Sequence, residues 1–97
     1  MMKIQAIISL DEIKDLKKRV LEGILKNDPS YVKQICYTVG RLFSKTNDLG
    51  KTYIESLFVL PVTLMIEADF GNRKKFLNQF PMNLKAAYVK QLYHPAS

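Results

Sequence analysis

A chain of ninety-seven residues can close one hydrophobic core and is too short for two. Apolar residues make up 47% and charged residues 25%, the proportions of an ordinary folded domain, which excludes disorder as the default state. Fifteen lysines and arginines against nine acids give a net charge of +6, enough to steer the molecule toward a charged partner.

Met1 to Ser9 holds Ile4, Ala6 and Ile8 in alternation, while Ile4, Ile7 and Ile8 also satisfy helical spacing. No second strand offers itself as a partner for its backbone, so a short helix or an extended arm is expected. The stretch has no small-residue cleavage site of the kind a signal peptide needs, which points to a cytoplasmic protein.

Ser9-Leu10-Asp11-Glu12 has the form of a capping box and predicts a helix start. Ile13, Leu16, Val20, Leu21, Ile24 and Leu25 then recur at three- and four-residue intervals, with Lys14, Asp15, Lys17, Lys18 and Glu22 on the other side. Gly23 falls within the pattern and weakens its last turn. Asp28-Pro29 predicts a second start, aspartate at the N-cap and proline where a missing amide costs nothing. That helix is expected to run to about Lys45 with Val32, Ile35, Cys36, Val39, Leu42 and Phe43 inward, and to end in the polar cluster Thr46 to Gly50.

The third segment, Lys51 to Ala68, contains a run from Leu57 to Ile66 that is apolar on nearly every side. Ten residues are about half of what a membrane-spanning helix needs, so the run predicts a central core helix. Pro61 removes one helical hydrogen bond and crowds the carbonyl four residues earlier, so a kink or break is expected between Ser56 and Leu60. After Asp69-Phe70-Gly71-Asn72, a short helix from Arg73 to Phe80 presents Phe76, Leu77 and Phe80 on one side. Asn83 is placed to cap a last helix, Leu84 to about Tyr93, with Leu84, Ala87, Tyr88 and Leu92 inward and a frayed tail from His94 to Ser97. The expected fold is all-α, a single domain over residues 1–97 forming a small bundle of about five helices.

Catalytic motifs are missing from this pattern. The one histidine, His94, lies in the tail, where a fixed geometry for proton transfer is hard to hold. One cysteine and one histidine leave no zinc site of the usual nitrogen and sulfur type. The four glycines are scattered and form no phosphate-cradling loop. Neither an enzyme nor a cofactor or metal is expected; Cys36 is expected as a small buried apolar residue.

Charge remains. Asp48, Glu55, Glu67 and Asp69 precede a C-terminal third holding Arg73, Lys74, Lys75, Lys85 and Lys90 with no acid among them. Arg73-Lys74-Lys75 before Phe76 is a possible phosphate contact, so a small basic nucleic-acid-binding regulator is one functional expectation.

The other comes from a resemblance. The stretches "YVKQICYTVGRLFS", "YIESLFVLPVTLMIEADF" and "LKAAYVKQL" resemble small helical immunity proteins of bacterial polymorphic-toxin systems, of the contact-dependent inhibition and Rhs types. The resemblance covers about two-thirds of the chain and lies in the order of helices and residue classes. It implies a stoichiometric inhibitor that binds a cognate toxin domain, often a nuclease, and blocks its active site or substrate path. Acids would complement the cationic groove of a nuclease, which singles out Glu55, Glu67 and Asp69. Nuclease inhibitors are frequently acidic overall, however, and this chain is basic. A toxin with an acidic contact surface would instead meet Arg73, Lys74 and Lys75.

Overall fold

The computed structural model describes residues 9–69 and 71–93. The expected N-terminal arm or helix before Ser9 and the tail from His94 onward lie outside these residues. Among the described residues there are five helices: α1 (Leu10–Leu25), α2 (Pro29–Lys45), α3 (Asp48–Glu67), α4 (Arg73–Leu77) and α5 (Met82–Tyr93). The middle helix α3 packs against all four others, and α1 and α2 pack on each other. Ile13, Val20, Val32, Ile54, Phe58, Val62, Leu84 and Tyr88 form the heart of the core.

The starts of α2 and α3 follow local side-chain chemistry, while α1 and α4 begin without a side-chain cap. Asp28 accepts the Tyr31 amide at 3.2 Å, and Pro29 opens α2. Asn47 accepts the Gly50 amide at 2.9 Å and starts α3. The turn between α2 and α3 is therefore only Thr46-Asn47, and Asp48 to Gly50 belong to the helix. Helix α1 begins at Leu10, but the Ser9 side chain makes no capping bond; the backbone carbonyl of Ser9 accepts from Ile13 at 3.1 Å.

The α1–α2 connection is tight. Asn27 adopts φ 56°, and the Asn27 and Asp28 amides bond back to Ile24 and Gly23 at 3.0 and 2.9 Å. This pair of bonds satisfies carbonyls at the end of α1 and reverses the chain, asparagine being one of the residues that tolerate a left-handed backbone. Gly23 is buried within α1, which runs on through it to Leu25. A Cβ there would lie 2.9 Å from Val32, so the missing side chain is what lets α1 and α2 approach.

The expected break in α3 is a π-helical turn, Glu55–Val59, where the Leu60 amide reaches back five residues to Glu55. Proline two positions on cannot donate, and a wider turn is one way a helix absorbs such a defect. By length and composition α3 would suffice to cross a membrane; in this fold Ile54, Phe58, Val59, Val62 and Ile66 line the core. The helix is not buried all round, however. Leu64 is 64% exposed, and Leu25 at the end of α1, expected inward, is 74% exposed.

Candidate partner-binding surfaces

Most of the six charges singled out in the sequence are engaged inside the fold. Glu67, the last residue of α3, accepts a hydrogen bond from Arg73 Nε at 2.6 Å and another, on the same oxygen, from the hydroxyl of Tyr88. A carboxylate at a helix C-terminus is opposed by the helix dipole; the two donors answer that cost. Tyr88 is fully buried and meets Phe80 edge to face, with centroids 5.6 Å apart. Glu67 thus ties the end of α3 to the start of α4 and the middle of α5. Burial, then the bond to Glu67, pushes the Tyr88 phenol well above its ordinary value, and the same carboxylate raises the Arg73 guanidinium.

The other candidates divide similarly. Glu55, in the π turn, faces Lys90 of α5 at 3.2 Å. Asp69 accepts from the side-chain amide of Asn72 at 2.9 Å. Lys75 reaches the Asn27 side-chain oxygen at 2.8 Å, fastening α4 to the α1–α2 turn, while Lys74 is exposed. Asp69 also borders a cleft of about 350 Å³ that includes Leu25, Met65 and Ala68. Five of the six candidates therefore gather near the α3–α4 corner, and Glu55 stands apart. The acidic and basic segments meet at two ion pairs, Glu67 with Arg73 and Glu55 with Lys90.

A second surface was not singled out from the sequence. Helix α2 contains no acid, and Lys33, Tyr37, Arg41 and Lys45 recur on it every four residues, which aligns them on one ridge. All four are exposed, and the Lys33 ammonium lies 5.8 Å from the centre of the Tyr37 ring. Helix α5, also free of acids, turns Leu84, Ala87 and Tyr88 inward. Its opposite side carries Met82, Ala86, Val89 and Tyr93, all exposed, Met82 at 87% and Tyr93 at 75%.

The two helices meet in an open groove of about 380 Å³ bordered by Tyr37, Arg41, Lys45, Pro81 and Met82. Its floor is fixed by Asn83. The side-chain amide of Asn83 donates to the Gly40 carbonyl at 2.8 Å and to Ser44 Oγ at 2.9 Å. Asn83 lies inside α5, where its side-chain oxygen accepts the Leu84 amide at 2.8 Å, a capping bond of the kind the sequence suggested, while its side-chain amide clamps α5 to α2; the Lys85 amide bonds to the Pro81 carbonyl. A Cβ on Gly40 would sit 2.7 Å from the Pro81 ring, so only glycine permits this approach.

Among the described residues, no group of three or more histidine, cysteine or acidic side chains is placed to hold a metal. Cys36 is buried, which pushes its thiol up to about 12 and keeps it protonated and unreactive at neutral pH. Compared with known proteins, the chain matches no family model, no curated protein and no solved structure.

Proposed function

We propose that this protein is a stoichiometric binding module of the immunity type, which acts in the cytoplasm by docking on a cognate toxin domain and occluding it. The observation that carries this proposal is the outward face of α5. A helix already packed on its inner side presents a second apolar stripe, Met82, Ala86, Val89 and Tyr93, beside the exposed tyrosine and arginine of α2. Aromatic residues, methionine and arginine are the types enriched where proteins meet. Exposed apolar stripes rimmed by charge are a common mark of such contacts. Occlusion asks for no chemistry from the inhibitor, only a preformed surface.

The proposal predicts a toxin gene immediately upstream of this one, and the test is co-expression with the toxin domain found there. Cells should survive the toxin only when this protein is present, and the two chains should elute together as a one-to-one complex. Death of the cells regardless, with no complex formed, would sink the proposal.

A second function, a small basic nucleic-acid-binding regulator, is favoured by the α2 ridge, where a tyrosine stands between bases as in surfaces that stack and neutralise single strands. It predicts retention on single-stranded DNA or RNA that falls steeply between low and high salt. Absence of retention at low salt removes it.

A further inference from the structure

The groove between α2 and α5 has two kinds of wall, and each limits what fits there. On the α2 side stand Arg41 and Lys45, with Lys33 continuing the ridge and no carboxylate anywhere on the helix. On the α5 side Met82 begins the apolar stripe, and its neighbours one and two turns on extend it past the groove. A nucleic acid would answer the first wall with phosphates but leave Met82, Ala86 and Val89 of the α5 stripe facing water. An apolar protein surface would cover the stripe but strand the bases against uncharged atoms, at a desolvation cost.

We propose that this groove receives an acidic amphipathic helix of a protein partner, its apolar side seated on Met82 and Tyr37 and its carboxylates meeting Arg41, Lys45 and Lys33. Two features make the groove ready for such a guest. Asn83 holds its floor by two hydrogen bonds to α2, and the missing side chain at Gly40 lets Pro81 close directly against α2, so the two walls are already fixed and little ordering is needed on binding. The ridge repeats every four residues, the interval at which a guest helix also repeats its own side chains. Bases at the rim raise the rate of encounter with an acidic partner, while the apolar seat sets how long it stays.

This assignment rests on the protein-binding function proposed above, and its test separates the two. The full chain is titrated with a synthetic helix of about twenty residues, carrying leucine at core positions and glutamate elsewhere, and amide shifts are followed by NMR. Poly-L-glutamate, the same helix with lysine for glutamate, and a single-stranded oligothymidylate serve as comparison probes. The acidic helix should perturb Tyr37, Arg41, Lys45 and Met82 and bind at least about tenfold more tightly than any of the three. Arg41→Glu with Lys45→Glu should weaken it by at least about tenfold, and Tyr37→Ala with Met82→Ser likewise.

Tighter binding of the oligothymidylate at the same residues would overturn the assignment in favour of nucleic acid. Binding of the acidic helix elsewhere, or not at all, would overturn it outright. If a toxin complex forms and is indifferent to the Arg41 and Lys45 reversals, the groove assignment falls and the neutralising function stands. If the acidic helix docks as described but no toxin complex forms, the reverse holds.

Discussion

At the corner where α3 meets α4, the Glu67 carboxylate is gripped by Arg73 and by the buried Tyr88 hydroxyl, and Lys75 is fastened to the α1–α2 turn. Along α2, Lys33, Arg41 and Lys45 stand at the surface beside an apolar stripe the core does not use. Both regions are rich in charge, yet only the first uses it to join helices. A charged residue already satisfied within its own fold offers a partner less than one still facing water, because binding must first displace the existing contact. The corner reads as a latch and the groove as a receptor surface.

That contrast predicts opposite responses to substitution. Tyr88→Ala, which empties a fully buried aromatic site, should cost about 3–5 kcal/mol of stability in urea unfolding. Tyr88→Phe keeps the ring and removes only the bond to Glu67, and should cost about 1–2 kcal/mol. A corner variant that left stability untouched would contradict the latch.

Gly40→Ala, at the floor of the groove, drives a methyl group into Pro81. Overpacking of this kind costs about 1–3 kcal/mol, and the better helix propensity of alanine returns about 1 kcal/mol of it. A lower melting temperature together with weaker binding of the acidic helix is expected, since this one position serves both packing and groove shape.

Alkaline pH gives a third handle. The folded state holds the Tyr88 proton more tightly than the unfolded chain, whose phenol titrates near its ordinary value of 10.0. The stability contributed by the protonated phenol is therefore complete below that value and declines as pH rises beyond it. The gap between the wild type and Tyr88→Phe should narrow above about pH 10, by at most about 1.4 kcal/mol per pH unit. A constant gap up to pH 11 would argue against the buried phenol. The smallest expected effect comes from the groove: Arg41→Glu and Tyr37→Ala should each shift stability by less than about 0.5 kcal/mol, as is usual for exposed positions. A larger loss would show that the groove, too, holds the fold together.

Features governed by near neighbours are legible in the sequence. Asp28-Pro29 marks a helix start that forms as written, and the spacing of Val32, Ile35, Cys36 and Val39 marks the face that is buried. Pro61 announces a break in α3, though not its form, since a kink and a π turn answer the same missing amide. Serine at position 9 promised a side-chain cap that is not made, because the backbone alone suffices to start α1. Leu25 and Leu64 fit their apolar patterns and still face outward, because burial depends on whether another helix happens to cover that side.

The candidate site was harder to read. Sequence proximity groups acids with acids and bases with bases between Asp48 and Lys90, while the fold joins Glu67 to Arg73 and Glu55 to Lys90. The interval of four that aligns Lys33, Tyr37, Arg41 and Lys45 is present in the letters, as are Met82, Ala86, Val89 and Tyr93. What the letters lack is the knowledge that α2 and α5 lie side by side, pinned by a contact between Asn83 and Gly40, forty-three positions apart.

The π turn in α3 also sets the phase of the helix. It holds one residue more than an ordinary turn would, so it works like a vernier between the segments Asp48–Ile54 and Leu60–Glu67. Excising that surplus, at the exposed Ser56 for example, would leave an ordinary turn with Ile54 still facing the core. A deletion in either flanking segment has no surplus to draw on and would rotate what lies beyond it by about 100°. The helix should therefore tolerate a lost codon in its π turn better than one on either side.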